Sequence, residues 1–362
     1  MRQTSPPAPP DALPRGLVRS TDLEPGIRRR RCGRGFTYMT DGGGRIRDAA
    51  ELQRIRSLVI PPAYRDVWIC RRPEGHLQAT GCDAAGRKQY RYHPAFTAHR
   101  QRLKFNEIIR FAEALPRLRR RVQRDLVAAD RCDQTFAAAT AARLLDLTLI
   151  RAGHGGETDG RPTFGLATLR NRHVEVDPVR GEVELDFRGK SGRRQERRLT
   201  SRTLARALCR LQTLNGHRLL QYIGPTGETH PLSADDINRY LSDGARRSRR
   251  DDLHVTAKDF RTWGATVYVA AHLARGGEAK SATDAKRRLT ESVRATAEKL
   301  GHRPATCRNY YIHPRVIEAF EEGELARAMN KRPQPGRPGG RTSHNAEERH
   351  VLALLRDAAP NG

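Results

Sequence analysis

The sequence predicts an α+β fold: a small β-rich N-terminal domain followed by a larger, mainly α-helical domain that contains a three-stranded antiparallel β unit. Three observations carry this. Short apolar or aromatic runs broken by glycine- and proline-rich turns fill residues 28–98, apolar residues at three- and four-residue steps dominate 99–330, and strict alternation returns between 172 and 200.

Residues 1–27 hold five prolines within the first fourteen positions and no apolar periodicity, so they read as an extended, disordered leader. From Gly35 the runs FTYM, LVIPPAY and DVWIC, the turn DGGG and the stretch RPEGHLQATGCDAAGRKQYRY predict short strands ending near Tyr92 to Ala98. FNEIIRFAEALPRLRRRVQRDL then places Ile108, Phe111, Ala112 and Leu115 on one helical face. ATAARLLDLTLIRAG repeats that signature with Leu144, Leu145, Thr148 and Leu149, so both helices are expected to face a core. RHVEVDP, GEVELDFRG and RQERRLT predict three antiparallel strands, with turns at Asp177–Gly181 and Gly189–Gly192. Helices resume over Leu204–Leu214, Ala234–Leu241, Lys258–Leu273 and Asp284–Leu300, the last with Gly301 as its C-cap. KRPQPGRPGGR opens a basic linker in the 331–362 segment, which ends in a short helix over Asn345–Ala358.

Composition bounds the function. The formal net charge is +27, and eight lysines among 68 basic residues leave 60 arginines. Like charge in this excess opposes compaction unless a polyanion disperses it, so nucleic acid is the expected partner. No run approaches the roughly 18 to 20 apolar residues that a membrane span needs, so no membrane partner is expected. The opening MRQTSPPAPPDALPR lacks the apolar core of a signal peptide, and the six cysteines contain no C-x-x-C pair. Neither a zinc site nor a disulfide framework is expected, and a reducing cytoplasm fits best.

The phosphate-cradling, zinc-protease and serine-hydrolase templates are absent from the sequence, and neither a cofactor nor a metal is expected. What remains is a series of basic side chains at the ends of elements. Arg151 ends a helix in LIRAG, Lys190 sits in the hairpin turn FRGKSG, and Lys258 and Arg261 lie near a helix start in TAKDFRTWG. LGHRPATCRNYYIHP combines His302 with Tyr310 and Tyr311. Taken singly, each is an ordinary surface or core residue.

Their order resembles the active-site series of type IB DNA topoisomerases, specifically the small poxvirus-like branch found in bacteria, over roughly residues 28–325. GCDAAGRKQYRYHP is similar to the family's segment before the interdomain hinge, and FGLATLRNRHVEV to its run into the catalytic β unit. The resemblance implies that Arg151, Arg261 and His302 contact the scissile phosphate, that Lys190 is the general acid assisted by Lys258, and that Tyr311 is the nucleophile. Tyr311 stands nine positions after His302, the family's interval, whereas Tyr310 stands eight after it. Tyr90, Tyr92, Arg87, Lys88, Arg170 and Arg172 become expected DNA contacts. A monomer is implied that clamps double-stranded DNA between a 28–98 domain and a 99–330 catalytic domain, hinged near 93–104. It would relax supercoils through a 3′-phosphotyrosyl link without ATP or metal, in the cytoplasm at the nucleoid.

Elementary chemistry agrees. A tyrosine hydroxyl attacking phosphorus must lose its proton, and the non-bridging oxygens gain charge that planar guanidiniums are shaped to hold. The leaving 5′ oxygen needs a proton, which arginine cannot release and lysine can. Lysine at both 190 and 258, in a chain with so few, is therefore informative.

Two rival readings are weaker. Tyrosine recombinases generally carry His-x-x-Arg where this chain has Lys258-Asp259-Phe260-Arg261, and a helical N-terminal domain. A non-catalytic DNA-binding protein has no need of Arg151, Lys190, Arg261, His302 and Tyr311 in that order. One departure stands out: six places after Arg151, where the family usually has a DNA-touching tyrosine, this chain has Glu157, with His154 and Arg161 as possible substitutes in a variable loop.

Overall fold

A computed structural model describes residues 13–153, 155–248, 250–330 and 343–357, and the chain divides into two compact units, Met1–Lys104 and Phe105–Gly362. The first unit is built on β1 (Ile27–Cys32), β2 (Gly35–Thr40), α1 (Ala49–Ser57), β3 (Arg65–Ile69), β4 (Leu77–Cys82) and β5 (Lys88–Tyr92). The strands form one antiparallel sheet in the order β2-β1-β3-β4-β5. Ile27, Val67, Ile69 and Ala79 from the sheet close over Ile55 of α1 to make its core. That helix is absent from the sequence reading. It is one short element with a single buried residue, capped by Asp48, whose carboxylate accepts the Glu51 N–H at 2.7 Å.

The leader is shorter than the 1–27 read from composition. From Leu13 on the chain is placed: Val18 bridges to Gly75, the Ser20 N–H donates to His76 Nδ1 at 3.1 Å, and Asp22 pairs with Lys88 at 2.6 Å. Backbone and side-chain hydrogen bonds to a sheet leave no trace in hydrophobic periodicity, which is why composition misjudged these residues. The first twelve residues lie outside the described part.

α2 (Pro94–Ala128) carries the chain from the first unit into the second, so the 93–104 segment expected as a hinge is largely the N-terminal part of this helix. Ile108, Phe111, Ala112 and Leu115 are buried on one face of it, as their spacing predicts. The second unit continues with α3 (Gln134–Thr148), β6 (Gly156–Thr158), β7 (Arg161–Thr163), β8 (Val174–Asp177), β9 (Glu182–Arg188), β10 (Arg194–Thr200), α4 (Arg202–Gln212), β11 (Gln221–Ile223) and β12 (Thr229–Pro231). It ends with α5 (Ala234–Ala245), α6 (Ala257–Arg275), α7 (Ala282–Leu300), α8 (Pro304–Tyr311), α9 (Pro314–Glu321), α10 (Leu325–Asn330) and α11 (Ala346–Asp357).

α3 is nearly all apolar or small and is buried on almost every face, which makes it the axis of the helical core. The three-stranded sheet, ordered β10-β9-β8, lays Val174, Val183, Leu185 and Phe187 onto that core. Gly301 caps α7 with φ +65°, the left-handed conformation that glycine adopts without strain. The short helices α8, α9 and α10 and the two small hairpins β6–β7 and β11–β12 are absent from the sequence reading, being too short to show a period.

The expected C-terminal helix is present as α11, but it is no appendage. Val351, Leu352, Leu354 and Leu355 are buried in the main core, and Glu348 joins Arg119 of α2 and Asp146 of α3 in a buried ion-pair network. The linker read over 331–341 lies outside the described residues.

Candidate active site

Arg151 follows α3 through a sharp reversal. Leu149 caps the helix in the left-handed region at φ +55°, and the Arg151 and Ala152 carbonyls then accept the N–H groups of Leu166 and Ala167, each at 2.8 Å. Gly153 (φ +68°) crosses Gly165 so closely that a Cβ at 153 would lie 2.5 Å from the Gly165 Cα. This crossing fixes the Arg151 backbone, and no other residue type permits it.

Arg261 projects from the second turn of α6 and is 3 % exposed. One of its nitrogens donates to the Leu149 carbonyl, and Nη2 donates to the Leu300 carbonyl at 2.8 Å. His302 follows the Gly301 cap of α7 and is 7 % exposed. Its ring stands between the two guanidiniums, with Nδ1 3.0 Å from Arg151 Nη2 and Nε2 2.7 Å from Arg261 Nη2. Tyr311 ends α8 with its ring centroid 4.2 Å from that of His302 and 5.8 Å from the Arg261 guanidinium carbon. Its neighbour Tyr310 is half exposed.

A neutral imidazole has one ring nitrogen able to accept, so it can serve only one of these two guanidiniums. Burial, followed by the charges of Arg261, Arg151, Lys190 and Arg193, lowers the His302 pKa to about 3, and the ring is neutral near pH 7. Burial and the charge of Arg151 likewise lower the Arg261 pKa to about 10, and burial lowers that of Arg151. The cluster thus holds more N–H donors than acceptors, around buried positive charge.

The end of α7 keeps these cations together. Four consecutive carbonyls each accept from a different arginine: Lys299 from Arg197 at 2.5 Å, Leu300 from Arg261 at 2.8 Å, Gly301 from Arg151 at 3.3 Å and His302 from Arg193 at 3.1 Å. A helix C-terminus leaves its last carbonyls unpaired and carries partial negative charge, so it is suited to gather guanidiniums.

Lys190 occupies the tight turn between β9 and β10, next to Ser191 at φ +62°, and is exposed; its charge is among those acting on His302. Lys258 is exposed on the first turn of α6, three residues before Arg261. Of the six residues read as catalytic, four are therefore brought together, Lys190 is near enough for its charge to act on His302, and Lys258 is exposed one turn before Arg261. Sequence reasoning missed three neighbours. Arg193 and Arg197 reach the site from β10 and the turn before it, and buried Thr266 of α6 takes the His313 N–H at 3.1 Å while lying 3.3 Å from the Tyr311 carbonyl. Nothing in the run of arginines marks which two point inward.

The expected DNA contacts fall in two places. In the first unit the Tyr90 and Tyr92 rings stack at 6.3 Å and 14°, while Arg87 pairs with Asp83 at 2.9 Å and Lys88 with Asp22. Tyr92 also lines a cavity of about 330 Å³ with Ser20, His76, Phe96 and Arg100. In the second unit Arg170 and Arg172 are exposed at the turn leading into β8, Arg170 over the Phe164 ring at 5.6 Å. Glu157 is exposed on β6, opposite Pro162 of β7, and Arg161 is also exposed; His154 lies outside the described residues. No described helix is long and apolar enough to cross a membrane, and the described residues hold no group of three or more His, Cys, Asp or Glu arranged for a metal.

Residues 93–333 match the family model of the eukaryotic DNA topoisomerase I catalytic core, and residues 35–83 match that of the bacterial DNA topoisomerase IB N-terminal domain. The DNA topoisomerase 1B of Acanthamoeba polyphaga mimivirus is 28 % identical over 313 residues, covering 83 % of this chain and 88 % of the viral protein. The DNA topoisomerase 1B of vaccinia virus (strain Copenhagen) is 21 % identical over 253 residues, covering 69 % and 74 %. The DNA topoisomerase I of monkeypox virus aligns to the same extent.

Proposed function

Because the chain belongs to the poxvirus-like type IB DNA topoisomerases, a family of isomerases acting on DNA, we propose that it relaxes supercoiled duplex DNA by transient cleavage of one strand at Tyr311. The observation that carries this reading is the donor-rich cluster of Arg151, Arg261 and His302 against the Tyr311 ring. Such a cluster lacks an acceptor with several oxygens, which a backbone phosphate supplies.

The Tyr311 hydroxyl attacks the scissile phosphorus and gives its proton to solvent water, forming the Tyr311 Oη–P bond. The P–O5′ bond breaks, and Lys190 gives a proton to the departing 5′ oxygen, with Lys258 assisting. The products are a 3′-phosphotyrosyl link and a free 5′-hydroxyl. The two guanidiniums hold the non-bridging oxygens as charge accumulates, each worth on the order of 2–4 kcal/mol of barrier, and His302 donates a further hydrogen bond. The cut strand swivels, and the 5′-hydroxyl then attacks the phosphotyrosine and reseals the backbone. The ester conserves the bond energy, so the cycle consumes no ATP and its chemistry needs no metal.

The 99–330 segment supplies this chemistry. The 28–98 domain supplies DNA contacts at Tyr90, Tyr92, Arg87 and Lys88, to which the catalytic segment adds Arg170 and Arg172. The two act together in a monomer that grips the duplex, in the cytoplasm at the nucleoid. Plasmid relaxation in EDTA without ATP tests the reading. Wild-type protein relaxes the plasmid and leaves a detergent-resistant protein–DNA adduct. Tyr311→Phe does neither while still binding DNA, and Tyr310→Phe does both; relaxation by Tyr311→Phe overturns the assignment.

A further inference from the structure

β10 is the edge strand of its sheet, and its two faces differ in chemistry. On the outer face Arg194 pairs with its diagonal neighbour Asp186 at 2.5 Å and Arg198 with Glu184, directly opposite it, at 3.2 Å, both exposed pairs of ordinary type. On the other face, at two-residue steps, Arg193, Gln195 and Arg197 meet the end of α7. Arg193 Nη1 donates to the His302 carbonyl at 3.1 Å, and Arg197 Nη2 donates to the Lys299 carbonyl at 2.5 Å and to Gln195 Oε1 at 3.1 Å. Gln195 lies over Gly301, where an added Cβ would come within 3.0 Å of its Nε2.

The Lys190 turn hangs directly from this strand. Gly189 N–H donates to the Arg193 carbonyl at 2.7 Å, closing the loop on which Lys190 sits. Lys190 is exposed on a tight turn, so its reach toward a phosphate ester depends on where the turn is held. Arg193 and Arg197 hold it to the same helix end that positions Arg151 and Arg261.

We infer that Arg193 and Arg197 are positioning residues that latch the Lys190 hairpin onto the α7 C-terminus, setting the general acid beside the leaving oxygen. The inference rests on the reading of Lys190 as general acid. It places both arginines in the proton-delivery step: the Tyr311 Oη–P bond forms, the P–O5′ bond breaks, and the proton moves from Lys190 Nζ to O5′.

The test uses full-length protein and a duplex carrying a cleavage site mapped with the wild type, made with either the natural 5′ oxygen or a 5′-bridging sulfur at the scissile phosphate. Sulfur leaves as a thiolate and needs no proton. On the oxygen duplex Arg193→Ala and Arg197→Ala each slow single-turnover cleavage on the order of 10- to 100-fold. On the sulfur duplex both return to near the wild-type rate, as does Lys190→Ala, and neither slows cleavage further when added to Lys190→Ala. Arg193→Gln and Arg197→Gln, which keep an N–H donor for the carbonyls, serve where an alanine variant fails to bind DNA. Rescue of Lys190→Ala without rescue of the arginine variants overturns the latch and marks these arginines as phosphate contacts or general supports. Failure of sulfur to rescue Lys190→Ala instead removes the general-acid reading, and the inference falls with it.

Discussion

The indole N–H of Trp263 donates to the buried carboxylate of Glu348 at 3.2 Å. Trp263 lies two residues beyond Arg261 on α6, and Glu348 belongs to α11, which begins beyond the residues matched by the family models. The same carboxylate takes two hydrogen bonds from Arg119, at 2.8 and 2.9 Å. Glu348→Ala leaves the buried Trp263 N–H without its acceptor and Arg119 with Asp146 as its remaining carboxylate partner, an expected cost of about 1–3 kcal/mol. Urea unfolding checks this; a loss under about 1 kcal/mol, the level of a surface ion pair, makes α11 a dispensable tail.

His302 links stability to pH. Its pKa falls from 6.5 to about 3 on folding, chiefly through burial and then through Arg261 and Arg151. Between those values the unfolded chain binds a proton that the folded chain does not, so stability is full above about pH 6.5 and declines as the pH falls toward 3. The slope for wild type should exceed that for His302→Gln by up to about one proton in this window. Equal slopes in urea titrations across the range contradict the buried, neutral ring.

Arg261→Lys keeps the charge but loses the planar fork that spans the Leu149 and Leu300 carbonyls and His302. Single-turnover cleavage is expected to fall on the order of 10²- to 10³-fold. Near-normal cleavage by the lysine variant means that charge alone suffices at this position.

Thr266 ties the helix bearing Arg261 to the backbone just after Tyr311: its hydroxyl oxygen accepts the His313 N–H at 3.1 Å, while its hydrogen goes to the Thr262 carbonyl at 2.8 Å. Thr266→Val leaves that partly buried N–H without its acceptor, at a cost of roughly 1–2 kcal/mol, and displaces the proposed nucleophile. Thr266→Ser restores both stability and cleavage rate; equal behaviour of the two variants refutes the role of the hydroxyl.

Glu157 presents an exposed carboxylate six residues after Arg151, where the family resemblance implies a DNA-touching tyrosine. Glu157→Gln removes one repulsive charge from the proposed DNA face, and noncovalent duplex affinity should rise on the order of two- to fivefold at low salt, with the gain shrinking as salt increases. Affinity unchanged at low salt places Glu157 away from the DNA.

Much of this molecule was legible in the order of its residues. Ile108, Phe111, Ala112 and Leu115 announce their helix because burial along one face imposes a 3.6-residue period, and β8 to β10 announce themselves by alternation. Placement of residues 13–26 and the helix α1 went unread, since hydrogen bonds to a sheet and a single buried isoleucine impose no period.

Charge balance, periodicity and chemical type are properties of the chain in order, and they were enough for a polyanionic partner, the α+β class and a spaced series of Arg, Lys, His and Tyr. The convergence of Arg151, Arg261 and His302 on Tyr311, and the arrival of Arg193 and Arg197, of some sixty arginines, at the end of α7, emerge in the folded chain alone. The reason is physical. Arginine looks the same everywhere in a sequence, and its role is assigned by the acceptor that the fold brings within reach, here four successive carbonyls at and just beyond the end of α7.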